Sequence, residues 1–156
     1  MKNFRQKSSE PLAKDLQLTI PSVAEYMVPV SKLITFHTNT PVSQVIDTLL
    51  KNRITGAPVL NDEGDVVGLI DDKDCLNTLV GSAYYNHPVE RDVVSEYMSN
   101  VMSSISVDAN LIDVANTFLT TPYKRLLVKD KNGKLAGQIS RRDVLLAIKD
   151  MNRNTW

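Results

Sequence analysis

Cysteine is nearly absent from this chain of 156 residues; Cys75 is the only one. A lone thiol cannot close an intramolecular disulfide, and nothing supplies a cysteine-based zinc cluster. An excess of one charge sign is missing too. Eighteen Lys and Arg balance eighteen Asp and Glu, which disfavours wholesale nucleic-acid binding while leaving room for a local basic face. No hydrophobic run reaches the length of a bilayer span, so no membrane partner is expected. No apolar core follows Met1-Lys-Asn-Phe-Arg-Gln-Lys7, so the start does not read as a secretory signal. The Walker loop, the H-E-x-x-H pair and the nucleophile elbow are likewise missing. From these absences the expectation is a cytoplasmic protein that is not an enzyme.

What is present is an ordinary globular balance, 42% hydrophobic and 23% charged. The length suits one domain or two very small ones. Residues 1–21 form a mostly polar N-terminal arm, with Leu12, Leu16, Leu18 and Ile20 ahead of Pro21. A short helix and a frayed arm fit them equally.

From Val23 the chain says the same thing twice. Val23-Ala-Glu-Tyr-Met27 returns as Val94-Ser-Glu-Tyr-Met98, and Ile34-Thr-Phe36 as Ile105-Ser-Val107, both 71 residues later. Val42, Val45, Ile46, Leu49 and Leu50 form an apolar stripe at helical period. Leu111, Val114, Ala115, Phe118 and Leu119 repeat it at a displacement of 69, so the second copy is two residues shorter before this helix. That displacement then holds for Gly64 and Gly133, Gly68 and Gly137, Asp74 and Asp143. Asn61-Asp-Glu-Gly64 and Asp130-Lys-Asn-Gly133 read as hairpin loops with glycine at positive φ. Each copy is strand, helix, strand, strand, helix, with a right-handed parallel crossover followed by an antiparallel hairpin. The predicted fold is therefore mixed α+β: two βαββα repeats packed through their sheets as one pseudo-two-fold module, burying a common core. The expected divisions are 1–21 arm, 22–80 first repeat, 81–93 connector, 94–150 second repeat and 151–156 tail.

One stretch carries chemistry. A strand ends at Ile139, Ser140 stands at a helix start, and Asp143 follows after Arg141 and Arg142. Free backbone N–H groups, a hydroxyl, a carboxylate and two cations would meet in one small volume, suited to a phosphate and a sugar. Ser-x-x-Asp is equally a helix capping box. The residues alone leave both readings open.

The tandem pattern resembles a pair of CBS (cystathionine β-synthase-type) domains, the arrangement called a Bateman module. Thr55-Gly-Ala-Pro-Val59, Asp62-x-Gly64, Gly68-Leu-Ile70 and Asp74 carry the resemblance in the first copy. Arg125-Leu-Leu-Val128, Gly133 and Gly137-Gln-Ile-Ser140-x-x-Asp143 carry it in the second, and it covers about residues 22–150. The resemblance implies a regulatory module that binds AMP, ADP or ATP between the repeats, pairs as a homodimer and passes its signal to an effector protein. An S-adenosylmethionine binder and a ligand-free interaction module are the alternatives. No cofactor is required, although Mg²⁺ could accompany the nucleotide.

Carried over residue by residue, the resemblance assigns Asp143 to the ribose hydroxyls and Ser140 to the phosphate. Arg141, Arg142, Lys124 and Arg125 become candidate phosphate cations. Ile105 and Ser106 fall beside the base. In the first copy Asp74 and Thr35 would form a weaker second site, with Gly56, Ala57 and Pro58 near the base. Asp71 stands there where Ser or Thr is expected, and three carboxylates in four residues repel a phosphate. A divalent cation bridging acid and phosphate, or plain helix capping by Asp71, Asp72 and Asp74, are the competing readings. Charge follows the same asymmetry. Residues 60–74 hold six acids against Lys73, whereas residues from 121 onward hold nine bases against three acids. An anionic ligand should prefer the Ser140–Asp143 site. His37 and His87 read as surface or turn residues, Tyr84 and Tyr85 as packing or contact residues, Cys75 as core, and Met27, Met98 and Met102 as core or interface fillers.

Overall fold

The computed structural model of the chain describes residues 20–85, 91–100 and 103–155. The expectations for residues 1–19, His87 and Met102 lie outside those described residues, as does the side chain of Tyr85. A short helix α1 (Val23–Tyr26) leads into β1 (Val28–Pro29) and a 3₁₀ turn (Val30–Lys32). The first repeat follows as β2 (Phe36–His37), α2 (Val42–Asn52), β3 (Gly56–Leu60), β4 (Val66–Asp71) and α3 (Asp72–Tyr85). A second leader, α4 (Val94–Tyr97), opens the second repeat of β5 (Ser104–Ser106), α5 (Leu111–Thr120), β6 (Arg125–Lys129), β7 (Leu135–Ser140) and α6 (Arg141–Thr155). The helices α3 and α6 run to Tyr85 and Thr155, into the expected connector and through most of the expected tail. Among the described residues no helix is long and apolar enough to cross a membrane.

The helical stripes bury only in part, because Leu50 and Leu119 at their ends are 73% and 85% exposed. Val42, Val45 and Leu49 are buried on α2, and Leu111, Val114 and Phe118 on α5. In both repeats the crossover pair is parallel and the hairpin antiparallel. The hairpins share one register, with Gly56 opposite Asp71 and Arg125 opposite Ser140, and each shifts register near its turn, at Val59/Leu60 and Val128/Lys129. Their tight turns rest on Gly64 at φ 81° and Gly133 at φ 77°, a region that costs other L-residues free energy.

The leaders are exchanged. The short strand β1 pairs antiparallel with β7 of the other repeat, Val28 opposite Gln138 and Pro29 opposite Gly137. In return Ser99, after α4, bridges Leu69 of β4, with N–H···O bonds of 2.9 and 2.8 Å. The sheet orders are accordingly β1-β7-β6-β5 and β2-β3-β4. Glycine makes the approach feasible. A Cβ on Gly68 would sit 2.7 Å from Met98 Sδ and 2.9 Å from Ser99 O. On Gly137 it would collide with Val28 O and sit 2.8 Å from Met27 Sδ.

The expectation of one common core is corrected by this exchange. Two hydrophobic clusters form instead, one around Phe36, Val59 and Ile70 and one around Leu126, Val128 and Ile139. Each holds the other repeat's leader. Val94, Tyr97 and Met98 pack into the first cluster, and Val23, Tyr26 and Met27 into the second. The pseudo-two-fold module is held together by reciprocal insertion.

Candidate functional site

The turn from β7 into α6 is a capping box in the folded chain. The N–H of Ser140 donates to Asp143 Oδ2 at 2.9 Å and its hydroxyl donates to the same oxygen at 3.0 Å. The Asp143 N–H in turn donates to Ser140 Oγ at 3.3 Å. Capping therefore holds, and it fixes both side chains at the mouth of a cleft, with the one O–H donor of Ser140 committed to Asp143. Asp143 is half-buried and keeps acceptor capacity on its second oxygen.

That cleft opens between the repeats and encloses about 430 Å³, within the range of small-molecule sites. The second repeat contributes Ser140, Asp143, Arg142, Gln138, Lys124 and Arg125. The first contributes Lys32, Leu33, Ile34, Arg53, Ile54, Thr55 and Gly56, with Val28 from the exchanged strand. Five cations (Lys32, Arg53, Lys124, Arg125 and Arg142) face one carboxylate, Asp143, a balance that attracts a polyanion. Arg53 is presented by the left-handed end of α2, at φ 53°, where its N–H closes the helix on Leu49 O and Leu50 O. Gln138 Oε1 is buried with no hydrogen-bond partner.

Arg125 ties the two halves. Its Nη2 donates to Thr55 Oγ1, and its Nη1 lies over Gly56 where any Cβ would collide with it. Burial pushes its pKa down, and the nearby Asp71 and Asp72 carboxylates oppose that shift. A guanidinium stays charged under these opposing pulls.

A second cleft of about 420 Å³ is the pseudo-symmetric mate. Asp71, Lys73, Asp74 and Asn77 face Tyr123, Lys124 and Arg125 across it. Asp71 and Asp74 cap each other: the Asp71 N–H donates to Asp74 Oδ2 at 3.0 Å, and the Asp74 N–H to Asp71 Oδ1 at 2.8 Å. Burial pushes the Asp74 carboxyl up to about 6; the Asp71 and Asp72 charges add to this, while the Asp71 N–H opposes it. Lys124 and Arg125 line both clefts.

The structure thus brings Ser140, Asp143, Arg142, Lys124 and Arg125 together. Ile105, Ser106 and Arg141 lie elsewhere. Ile105 packs against the second core, and Ser106 Oγ accepts the Asp108 N–H at 3.1 Å. Arg141 donates to Tyr123 O at 3.1 Å and lies 6.0 Å from the Phe118 ring centroid. Asp71 and Asp74 share the second cleft, but Thr35, Ala57 and Pro58 line neither, and Gly56 lines the cleft of Asp143. The reason is the swap of partners. The first-strand segment beside Asp143 is Ile34, from the other repeat, so same-copy reasoning chose the wrong strand. Lys32, Arg53, Ile54, Thr55 and Gln138 also line this cleft and were not singled out; the two leaders are too alike in sequence to reveal which core each enters. His37 pairs with Asp62 at the first hairpin, outside both clefts. Cys75 is buried in the core as expected, and burial pushes its thiol up to about 11.

Two βαββα repeats that enclose paired clefts on a pseudo-two-fold axis are the architecture of a CBS pair. The CBS domain model matches residues 23–81 and 94–150, well over half the sequence, and the chain belongs to that family. It is similar to the chloroplastic CBS domain-containing protein CBSX1 of Arabidopsis thaliana, at 29% identity over 156 residues, covering 85% of this chain and 66% of the relative. This chain therefore spans slightly under two thirds of that protein. The crystal structure of CBSX2 in complex with AMP superposes with a TM-score of 0.72 at 28% identity, covering 84% of this chain and 98% of that one. CbpB in complex with c-di-AMP shares the fold at a TM-score of 0.75 and 18% identity, covering 94% of this chain and 97% of that one.

Proposed function

We propose that this chain is a regulatory module that binds an adenosine nucleotide of the AMP, ADP or ATP class in the Ser140–Asp143 cleft and transmits occupancy to a partner protein. The observation that carries the reading is the composition of that cleft, with five cations around one capped carboxylate in a volume of about 430 Å³. Phosphates meet the cations, and the ribose hydroxyls meet Asp143. A relative of similar fold, CBSX2, has been crystallised with AMP.

Homodimerisation belongs to the same reading. Leu76 and Leu79 on α3 are 61% and 64% exposed, and their repeat mates Leu145 and Ile148 on α6 are 65% and 45% exposed. Matched apolar helix faces on a pseudo-two-fold module suit an isologous contact. Ligand binding would shift such an assembly by as much free energy as it discriminates between two states.

The test is a thermal-melt panel with AMP, ADP, ATP, S-adenosylmethionine and GTP, with and without Mg²⁺. A ligand at about 100 times its Kd adds roughly 2.7 kcal/mol, several degrees in Tm. The expected result is stabilisation by adenosine compounds only, abolished in a folded Asp143→Ala variant. A flat panel with a stable dimer would instead establish the ligand-free interaction module.

A further inference from the structure

The cleft holds one polar group whose place in it is unexplained. Gln138 lies on β7 two residues before Ser140, and both line the cleft. Two residues of strand put them about 6–7 Å apart along the chain. Gln138 is the register partner of Val28, and Leu33, Ile34 and Ile54 line the same cleft. Its Oε1 is buried without a partner, a condition that folded proteins rarely tolerate unless something else supplies the donor. The repeat supplies a control. At the equivalent register the second cleft has Leu69, so a glutamine here is not required by the fold.

We propose that Gln138 reads the nucleobase, its Oε1 accepting a hydrogen bond from the exocyclic amino group of adenine. The inference rests on the nucleotide reading given above. With Asp143 on the ribose, the base extends up the strand by about the span that separates Ser140 from Gln138. Val28 lies opposite Gln138 on the neighbouring strand, and Leu33, Ile34 and Ile54 supply further apolar lining for a flat ring. Adenine presents a donor at its six-position. Hypoxanthine presents a carbonyl oxygen there, which would face Oε1 acceptor to acceptor. Gln138 is thus a specificity-determining residue, and a site that satisfies a buried acceptor rejects analogues lacking the donor more strongly than an apolar site can.

The experiment is calorimetric titration of the full chain with AMP, IMP, purine riboside 5′-monophosphate and ribose 5-phosphate, for wild type and Gln138→Leu. Wild type should bind AMP about tenfold or more tightly than IMP or the purine riboside. Gln138→Leu, the residue natural to the mate cleft, should bring AMP down to the level of the purine riboside and leave ribose 5-phosphate unchanged. An AMP-to-IMP ratio equal in wild type and variant overturns the assignment while the nucleotide reading stands. A wild type that binds no nucleotide overturns both. Should the leucine variant fail to fold, equal wild-type affinity for AMP and the purine riboside overturns the assignment by itself, and a tenfold preference for AMP supports it.

Discussion

Two carboxylates at matched positions, Asp74 and Asp143, show how surroundings divide equivalent residues. Each closes a capping box with the residue three before it. Around Asp143 the cleft is cationic, whereas Asp74 shares its turn with Asp71 and Asp72. With burial as the leading cause, the Asp74 carboxyl sits at about 6, above the roughly 3.9 of an unfolded chain. The sign follows by linkage. Above about pH 6 the folded state carries the full cost of keeping this carboxylate charged, and protonation relieves that cost as pH falls from about 6 toward 4. Asp74→Asn should therefore be more stable than wild type at pH 7.5, and the two should converge near pH 4. Chemical denaturation across that range measures the difference, and parallel curves would contradict it. The Ser140–Asp143 capping box was legible in the sequence because Ser-x-x-Asp at a strand-to-helix turn has the residue types and spacing that such a box needs. Gln138 was not legible. Nothing in Gly-Gln-Ile-Ser says whether an amide faces water or is shut in a cleft.

At the scale of elements, periodicity carried most of the information. The stripes of α2 and α5 and the two glycine hairpins follow from residue spacing alone, and they came out where the repeat put them. The two-residue strands β1 and β2 are too short to carry a period. The exchange of leaders was hidden for a different reason. Val23-Ala-Glu-Tyr-Met27 and Val94-Ser-Glu-Tyr-Met98 are so alike that either fits either core, and only three-dimensional connectivity decides. Same-copy reasoning consequently assigned Ile105 and Ser106 to the cleft of Asp143, which Ile34 lines instead. The exchange has an energetic consequence. Val23 and Val94 are both 0% exposed, each in the cluster of the opposite repeat. Truncating either to alanine should cost about 2 kcal/mol, from lost transfer free energy and the cavity left behind. Gly137→Ala should cost a similar amount, about 1–3 kcal/mol, by driving a methyl group into Val28 O. Urea midpoints at constant slope are the measurement.

For the whole molecule, reciprocal insertion couples the stability of the repeats. Neither core can open without exposing a leader that belongs to the opposite repeat, so heat should unfold both together. Calorimetry should record a single transition whose calorimetric and van't Hoff enthalpies agree. Two resolved transitions, each abolished by mutating one core, would show that the leaders contribute little.

The same exchange recasts what the covalent connection does. If each half already carries the piece the other needs, the covalent connection between the repeats matters chiefly by raising their effective concentration. Cut there, the halves should still find one another. Their melting temperature should then rise with protein concentration, as it does for any two-component complex. The contacts that now join repeat to repeat would be a self-complementary interface that happens to lie within one chain.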